Sequence, residues 1–170
     1  MAVSRFCIDE DILERAEELI NLLRARRLTV ITAESCTGGL IAAALSHAPG
    51  ASDCLHGGFV VYTKENKTAA LGVPQALLDQ HGAVNAPVAQ AMATGALERS
   101  GADIAIAVTG VLGPNPDEDG NPPGQIYFGL VRRDHPSRVL PQHFTSDDPH
   151  QVRRAVVLRA FALVHEAAET

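Results

Sequence analysis

The chain has 170 residues, of which 46% are apolar and 20% are charged, with a formal net charge of −6. This composition excludes the disordered and fibrous classes, and the length fits one domain over residues 1–170. Aromatic residues make up only 4% and basic residues are scattered, which excludes the basic, aromatic-rich face expected of a protein that binds polymeric nucleic acid.

The first half of the chain alternates helix and strand patterns. Apolar residues recurring every three or four positions predict an amphipathic helix over residues 9–27. LTVITA, residues 28–33, is short, β-branched and uncharged, which predicts a strand buried on both faces. A helix of small residues then stops near Pro49 and Gly50. GGFVVYT, residues 57–63, predicts a second strand.

The same alternation continues through the middle of the chain. Residues 64–73 and 74–82 predict two short helices. Asn85 is predicted to cap a longer helix that ends at Gly101. DIAIAVTG, residues 103–110, predicts another buried strand, which again ends in a hydroxyl and a glycine.

The last third begins with a loop and ends with a helix. Residues 111–124, VLGPNPDEDGNPPG, hold four prolines and three acidic residues, which predicts a long loop. QIYFGLVRR and VLPQHF predict two strands that form a hairpin around DHPS, and the closing helix is predicted over residues 148–166. This order of helices and buried strands predicts a three-layer α/β/α sandwich.

The segment AESCTGG lies where the first strand meets the next helix. Backbone N–H groups at such a junction can hold an anion or a developing oxyanion, and glycines allow a substrate to approach closely. In the alternative interpretation, Ser35 or Thr37 only caps the helix. Glu34 favours a site, because a carboxylate there needs a partner or solvent. No histidine can be placed beside Cys36, so it is interpreted as a small buried neighbour rather than a nucleophile.

The segment YTKENK carries a second group of candidates at the end of a predicted strand. A lysine can activate a serine if burial and a neighbouring cation keep the amine neutral, and a tyrosine hydroxyl can relay the proton. Tyr62, Lys64 and Lys67 are ordinary surface residues in the alternative interpretation. Their coincidence with Ser35 is what favours a catalytic role.

Cysteine and histidine usage bears on metals and compartment. Cys7, Cys36 and Cys54 show neither a disulfide framework nor zinc-ligand spacing, which favours a reducing cytoplasm. The seven histidines show no ligand pairing and the DEDG segment lacks the rest of a calcium loop, so no metal is expected. The acidic N-terminus does not fit a signal peptide, and no apolar run is long enough for a membrane partner to be expected.

Five segments together resemble one known family: AESCTGG, GGFVVYTKENK, LGVP…HGAV, AVTGVLGP and PPGQIYFGL. They occur in the order and approximate spacing of the CinA C-terminal domain, also called the nicotinamide mononucleotide amidohydrolase family. The resemblance covers about residues 10–165 and suggests the stand-alone form. It implies a mixed central sheet and hydrolysis of the carboxamide of nicotinamide mononucleotide to nicotinic acid mononucleotide and ammonia, in pyridine-nucleotide salvage, with no cofactor.

The resemblance also implies a set of site residues. Ser35 corresponds to the proposed nucleophile, Tyr62 and Lys67 correspond to the family's tyrosine and lysine, and the hydroxyl of the VTG motif falls on Thr109. The expected substrate contacts are Glu34, Cys36, Thr37, Gly38, Gly39, Gly110, Gly113 and Arg153.

Three departures from the family pattern leave questions open. The glycine-rich loop of the family is GPNPDED here, which adds negative charge near the site. Lys64 stands where the family has an asparagine, so the identity of the base is open between Lys64 and Lys67. The family's arginine near the last helix is missing, and Arg153 or Arg154 is offered instead.

Three functions are therefore compared. The first is the mononucleotide amidohydrolase, whose small-molecule substrate would be its partner. The second is a non-catalytic nucleotide-binding module or competence- and damage-response partner, which the altered loop motivates. The third is an amidase that acts on another small amide. A homodimer is expected from the apolar helices over residues 38–48 and 87–97.

Overall fold

The computed structural model describes residues 8–170 as one five-stranded sheet with helices on both of its faces. Cys7 lies outside the described residues. In chain order the elements are α1 (Glu10–Arg26), β1 (Val30–Glu34), α2 (Leu40–His47), a 3₁₀ turn (Ala51–Asp53), β2 (Leu55–Val60), α3 (Lys64–Leu71), α4 (Gln75–His81), α5 (Ala86–Ser100), β3 (Ile104–Gly110), β4 (Gln125–Arg132), β5 (Arg138–His143) and α6 (Pro149–Glu169).

The sheet is mixed, with the strand order β2-β1-β3-β4-β5. Strand β1 pairs in parallel with both β2 and β3, whereas β3, β4 and β5 pair antiparallel. Strand β1 is buried along its whole length, as the uncharged run before Glu34 predicts, and its last residue, Glu34, is buried as well. The carboxyl ends of β1 and β3 therefore meet at one edge in the middle of the sheet, where open α/β sheets place their ligands.

Two apolar clusters fix the helical layers. Helices α1, α2 and α6 contribute to one cluster, in which Leu19, Ile41 and Val156 are buried. Helix α5 and the short helices α3 and α4 contribute to the other cluster, on the opposite face of the sheet, where Met92 and Leu71 are buried. The predicted three-layer α/β/α sandwich is confirmed, and so is its mixed sheet.

Element boundaries differ from the sequence prediction at one place that bears on function. The second strand spans Leu55–Val60 instead of residues 57–63. It ends early because Thr63 caps helix α3, its hydroxyl accepting a hydrogen bond from the N–H of Asn66 at 3.2 Å. Tyr62 consequently lies in a connection rather than in the sheet. Within residues 8–170, none of the helices combines the length and the apolar character needed to cross a membrane.

Candidate active site

Ser35 lies at the floor of a cleft, directly after β1. Its N–H donates to the carbonyl of Val108 in β3 at 3.0 Å, which fixes the residue between the ends of two neighbouring strands. The side chain is almost fully buried. Its hydroxyl is therefore held in one place by backbone that the sheet itself positions.

Lys67 approaches Ser35 from helix α3 and is fully buried. Its Nζ donates to Ser35 Oγ at 2.9 Å, to the carbonyl of Val61 at 2.8 Å and to the carbonyl of Tyr62 at 3.3 Å. Burial away from water lowers the pKa of Lys67 from 10.5 to about 8. The prediction that the hydroxyl at position 35 and the amine at position 67 meet in one cleft is confirmed.

Lys64 lies one turn before Lys67 on α3 but in a different environment. Its Nζ pairs with Glu118 at 2.9 Å and with Asp119 at 3.0 Å, both in the loop between β3 and β4. These carboxylates raise the pKa of Lys64 to about 12. Of the two lysines between which the sequence leaves the base open, Lys67 is therefore the one whose amine lies beside Ser35.

Glu34 has a different place from the one expected. Its carboxylate is fully buried behind the turn and accepts five hydrogen bonds at 2.7 to 3.1 Å. The donors are the hydroxyls of Thr32 and Thr37 and the N–H groups of Gly39, Ile41 and Ala42. The expectation that Glu34 contacts substrate is corrected, because both of its oxygens are occupied by the protein. Glu34 instead caps the N-terminus of α2 and holds the turn that carries Ser35.

The cap formed by Glu34 also bears on the alternative interpretation of AESCTGG, in which Ser35 or Thr37 only caps the helix. Ser35 does not cap α2, since its hydroxyl meets Lys67. Thr37 donates its hydroxyl to Glu34 at 2.7 Å, so it stabilises the cap instead of forming it. The N-terminus of α2 is consequently filled by an internal carboxylate and offers Gly39, Ile41 and Ala42 to no external anion.

Two further residues expected to be catalytic lie at the cleft. The side chain of Tyr62 is 72% exposed at the rim of both cavities, and the backbone carbonyl of Tyr62 accepts from Lys67. The proton relay through the phenol stays a prediction. Thr109 is buried and donates its hydroxyl to the carbonyl of Ala83 at 2.8 Å, which fastens the segment lining the cleft to β3. This contact positions the segment, and a catalytic part for Thr109 stays a prediction.

Cys36 follows Ser35 and is also buried. Burial is the largest effect on its thiol and raises the pKa to about 12. A thiol with this pKa is protonated near neutral pH and is a poor nucleophile. The interpretation of Cys36 as a small neighbour in the site agrees with this placement.

Two adjoining cavities open above Ser35. The larger has a volume of about 630 Å³ and is lined by Ser35, Lys67, Gly110 and Gly113, as expected for these four residues. The smaller, about 480 Å³, is lined by Thr37, Gly38 and Gly39 on the side of α2. Both cavities share Cys36, Tyr62 and Arg153. One ligand can therefore extend from one cavity into the other.

Arg153 and Arg154 differ in what they contact. Arg154 pairs with Asp9 and Asp11 of the chain's first helical region. The Nε of Arg153 is buried and has no hydrogen-bond partner among the described residues, although the side chain lines both cavities. A buried guanidinium N–H without a partner favours an anionic ligand. Arg153 is thus the better placed of the two arginines.

The acidic loop lies at the cleft, where its negative charge was expected. Asp117, Glu118 and Asp119 line the larger cavity, and Glu65, which the sequence interpretation did not single out, joins them there. The DEDG sequence shows the charge, but only the pairing with Lys64 shows where the charge lies. Within residues 8–170, no group of three or more metal-ligating side chains is placed to hold a metal ion.

Comparisons with known sequences place the chain among similar proteins. A sequence model described as the CinA C-terminal domain matches residues 13–168. A competence-damage inducible protein of Symbiobacterium thermophilum is 50% identical over 125 residues, which are 74% of this chain and 29% of that protein. A CinA-like protein of Chlorobaculum tepidum is 46% identical over 117 residues, 69% and 28% of the two chains. The matched stretch thus spans less than a third of the length of these curated relatives.

Solved structures match over nearly their whole length. The competence/damage inducible protein CihA of Agrobacterium tumefaciens is 36% identical, with a TM-score of 0.90, and the match covers 98% of this chain and 100% of that one. A CinA superfamily protein of Klebsiella pneumoniae is 35% identical, with a TM-score of 0.88, and the match covers 93% and 98%.

Proposed function

The chain belongs to the CinA C-terminal domain family, and we propose that it hydrolyses the carboxamide of nicotinamide mononucleotide to nicotinic acid mononucleotide and ammonia. The observation that carries this proposal is the 2.9 Å contact between Ser35 Oγ and Lys67 Nζ in a buried position. An amide is a poor electrophile, so its hydrolysis requires an activated nucleophile, an oxyanion site and a proton for the departing ammonia.

The three partners of Lys67 can satisfy an ammonium, and they can also satisfy a neutral amine. A neutral amine has two N–H donors and one lone pair, and Lys67 faces two carbonyl oxygens and one hydroxyl. When the amine is neutral, its N–H groups donate to Val61 and Tyr62, and its lone pair points at the hydroxyl of Ser35. This arrangement supports Lys67 as the general base that takes the proton of Ser35.

In each half of the proposed reaction, Lys67 first accepts a proton and then donates it. Ser35 Oγ bonds to the carboxamide carbon while its proton passes to Lys67, and the resulting ammonium gives that proton to the leaving nitrogen as the C–N bond breaks. Ammonia departs and leaves an ester on Ser35. Water attacks this ester, Lys67 takes a proton from the water, and its return to Ser35 Oγ frees the carboxylic acid.

The turn after Ser35 supplies candidate oxyanion donors. The N–H groups of Ser35, Gly38 and Gly39 donate to protein acceptors. Those of Cys36 and Thr37 have no acceptor within residues 8–170. We propose that these two N–H groups stabilise the oxyanion, an effect worth about 3 kcal/mol per donor in other hydrolases.

Arg153 supports binding of the nucleotide phosphate. Arg153 borders both cavities, within the same cleft as Ser35, and its buried Nε has no partner among the described residues. The N-terminus of α2 is filled by Glu34, so the phosphate is expected at Arg153 and not at the glycines of that turn.

The test measures ammonia released from nicotinamide mononucleotide by the wild type and by Ser35→Ala. We expect the variant to lose at least about 10³-fold in kcat with its fold intact. Ser46→Ala is the matched control, because Ser46 is exposed on α2 and its hydroxyl donates to the carbonyl of Ala43 on the same helix. Activity that survives Ser35→Ala would exclude the proposed nucleophile.

The ammonia assay and calorimetry together separate the two other candidate functions. Ammonia from a different small amide, and none from the mononucleotide, would favour the amidase with another substrate. Calorimetry that shows mononucleotide binding without any product would favour the non-catalytic module, which the charged loop over residues 114–120 motivates.

A further inference from the structure

The cleft carries opposite charges on its two sides. We call Glu65, Asp117, Glu118 and Asp119 the acidic wall, since all four line the larger cavity. Glu65 lies on α3, and the other three lie on the loop that follows β3. Arg153 lies on α6, which packs against the opposite face of the sheet from α3. The two charged groups therefore approach Ser35 from different helical layers.

Local contacts fix the acidic wall in place. The ammonium of Lys64 pairs with both Glu118 and Asp119, at 2.9 and 3.0 Å, and so ties the loop to α3. The carboxylate of Asp117 accepts from the N–H of Asp119 and from Asn121, at 2.8 to 3.0 Å, which fixes the turn of the loop. The four carboxylates outnumber the two amines that line the larger cavity, Lys64 and Lys67, so this side of the cleft is negative overall.

The other side of the cleft needs an anion. Arg153 has a buried Nε without a partner among the described residues, and it borders the larger cavity as well as the smaller one. A ligand that satisfies both sides has an anionic group at Arg153 and a positive charge toward the acidic wall. An anion alone would meet repulsion from the acidic wall.

Resting on the proposed function, we infer that the acidic wall selects the charge of the substrate's ring, so that the site prefers an N-ribosylated, cationic pyridinium carboxamide over a neutral ring of the same shape. An N-ribosylated pyridine ring carries one positive charge, whereas a benzene ring with the same carboxamide, ribose and phosphate carries none. Glu118 and Asp119 are thus specificity-determining residues, acting through charge at the mouth of the cleft.

The experiment compares the affinities of two ligands for the full chain carrying Ser35→Ala, which prevents turnover. Calorimetry measures binding of nicotinamide mononucleotide and of its benzamide isostere. We expect the cationic ligand to bind about tenfold more tightly at low salt. That ratio falls as salt is added, because the carboxylates are exposed.

The double variant Glu118→Gln/Asp119→Asn, in the same background, is expected to bring the ratio down several-fold by weakening the cationic ligand alone. The matched control is Glu14→Gln/Glu17→Gln, which makes the same change in net charge on the exposed face of α1 and leaves the ratio unchanged. Thermal unfolding of each variant checks that the fold is retained.

Three outcomes would overturn the inference. The first is equal affinity for the two rings, with ammonia release by the wild type intact, which leaves the proposed function in place. The second is a ratio that the α1 control lowers as much as the loop variant does. The third is neither binding of the mononucleotide nor ammonia from it, which overturns the proposed function as well.

Discussion

Two lysines one turn apart on α3 show how the same side chain acquires opposite properties. Lys67 is buried against Ser35 and two carbonyl oxygens, and its pKa falls to about 8. Lys64 is paired with Glu118 and Asp119 at the rim, and its pKa rises to about 12. The buried region is thus suited to moving protons and the rim to holding charge. The position of each lysine within the cleft, rather than its residue type, decides whether it is suited to proton transfer or to pairing with carboxylates.

The largest expected effect comes from exchanging the two lysines for methionine one at a time. Lys67→Met removes the base beside Ser35, and we expect kcat for ammonia release to fall at least about 10³-fold. Lys64→Met leaves the Ser35–Lys67 contact in place and should retain kcat within about threefold when measured at pH 9. A larger loss of kcat in Lys64→Met than in Lys67→Met at that pH would contradict the properties assigned to the two lysines.

A smaller effect is expected from Glu34, which holds the turn without entering the cleft. Glu34→Ala leaves the N–H groups of Gly39, Ile41 and Ala42 without their acceptor, and we expect a loss of about 3 kcal/mol in unfolding free energy, measured with urea.

The kinetic readout of Glu34 separates positioning from general destabilisation. Glu34→Gln keeps the shape of the side chain and one acceptor oxygen. We expect it to be more stable than Glu34→Ala and to have a higher kcat, with a KM close to that of the wild type. Glu17→Gln, on the exposed face of α1, is the control. Full stability in Glu34→Ala would contradict the role assigned to this carboxylate.

The smallest effect is a shift in the pH profile. The base must be neutral, so kcat/KM should rise with pH and level off above the pKa of Lys67, at about 8. The charge of Lys64 lowers that pKa, and the charge of Glu65 raises it.

Removing each charge on α3 should therefore move the profile in opposite directions. Lys64→Met should shift it to higher pH and Glu65→Gln to lower pH, both by less than the shift that burial causes. Shifts of the same sign would show that something other than these charges sets the profile.

Much of this fold could be predicted from the sequence because its elements are marked locally. The uncharged β-branched run predicted β1 up to its last residue, Glu34. Asn85 caps α5 as predicted, its side chain accepting from the N–H of Val88, and Gly101 ends that helix. The second strand was misplaced because Thr63 belongs to a helix cap, and a cap and a strand end look alike in a run of polar and β-branched residues.

The candidate site was only partly predictable. The Ser35–Lys67 contact could be predicted from motifs that coincide in one family, but the partner of Glu34 depends on how the turn folds back over the helix N-terminus. Likewise, Arg153 and Arg154 are neighbours in the chain, and only the packing of α6 shows that Arg154 is paired with Asp9 while Arg153 borders the cavities.

The hairpin that carries the charged loop also suggests how such proteins can change over evolutionary time. Strands β3 and β4 pair as far as Gly110 and Ile126, so the loop leaves the sheet and returns to it at the same edge. Residues can be exchanged or inserted between these two points without altering the register of any strand. This makes the hairpin a natural position for grafting loops from relatives, and for diversifying ligand choice while the fold is left as it is.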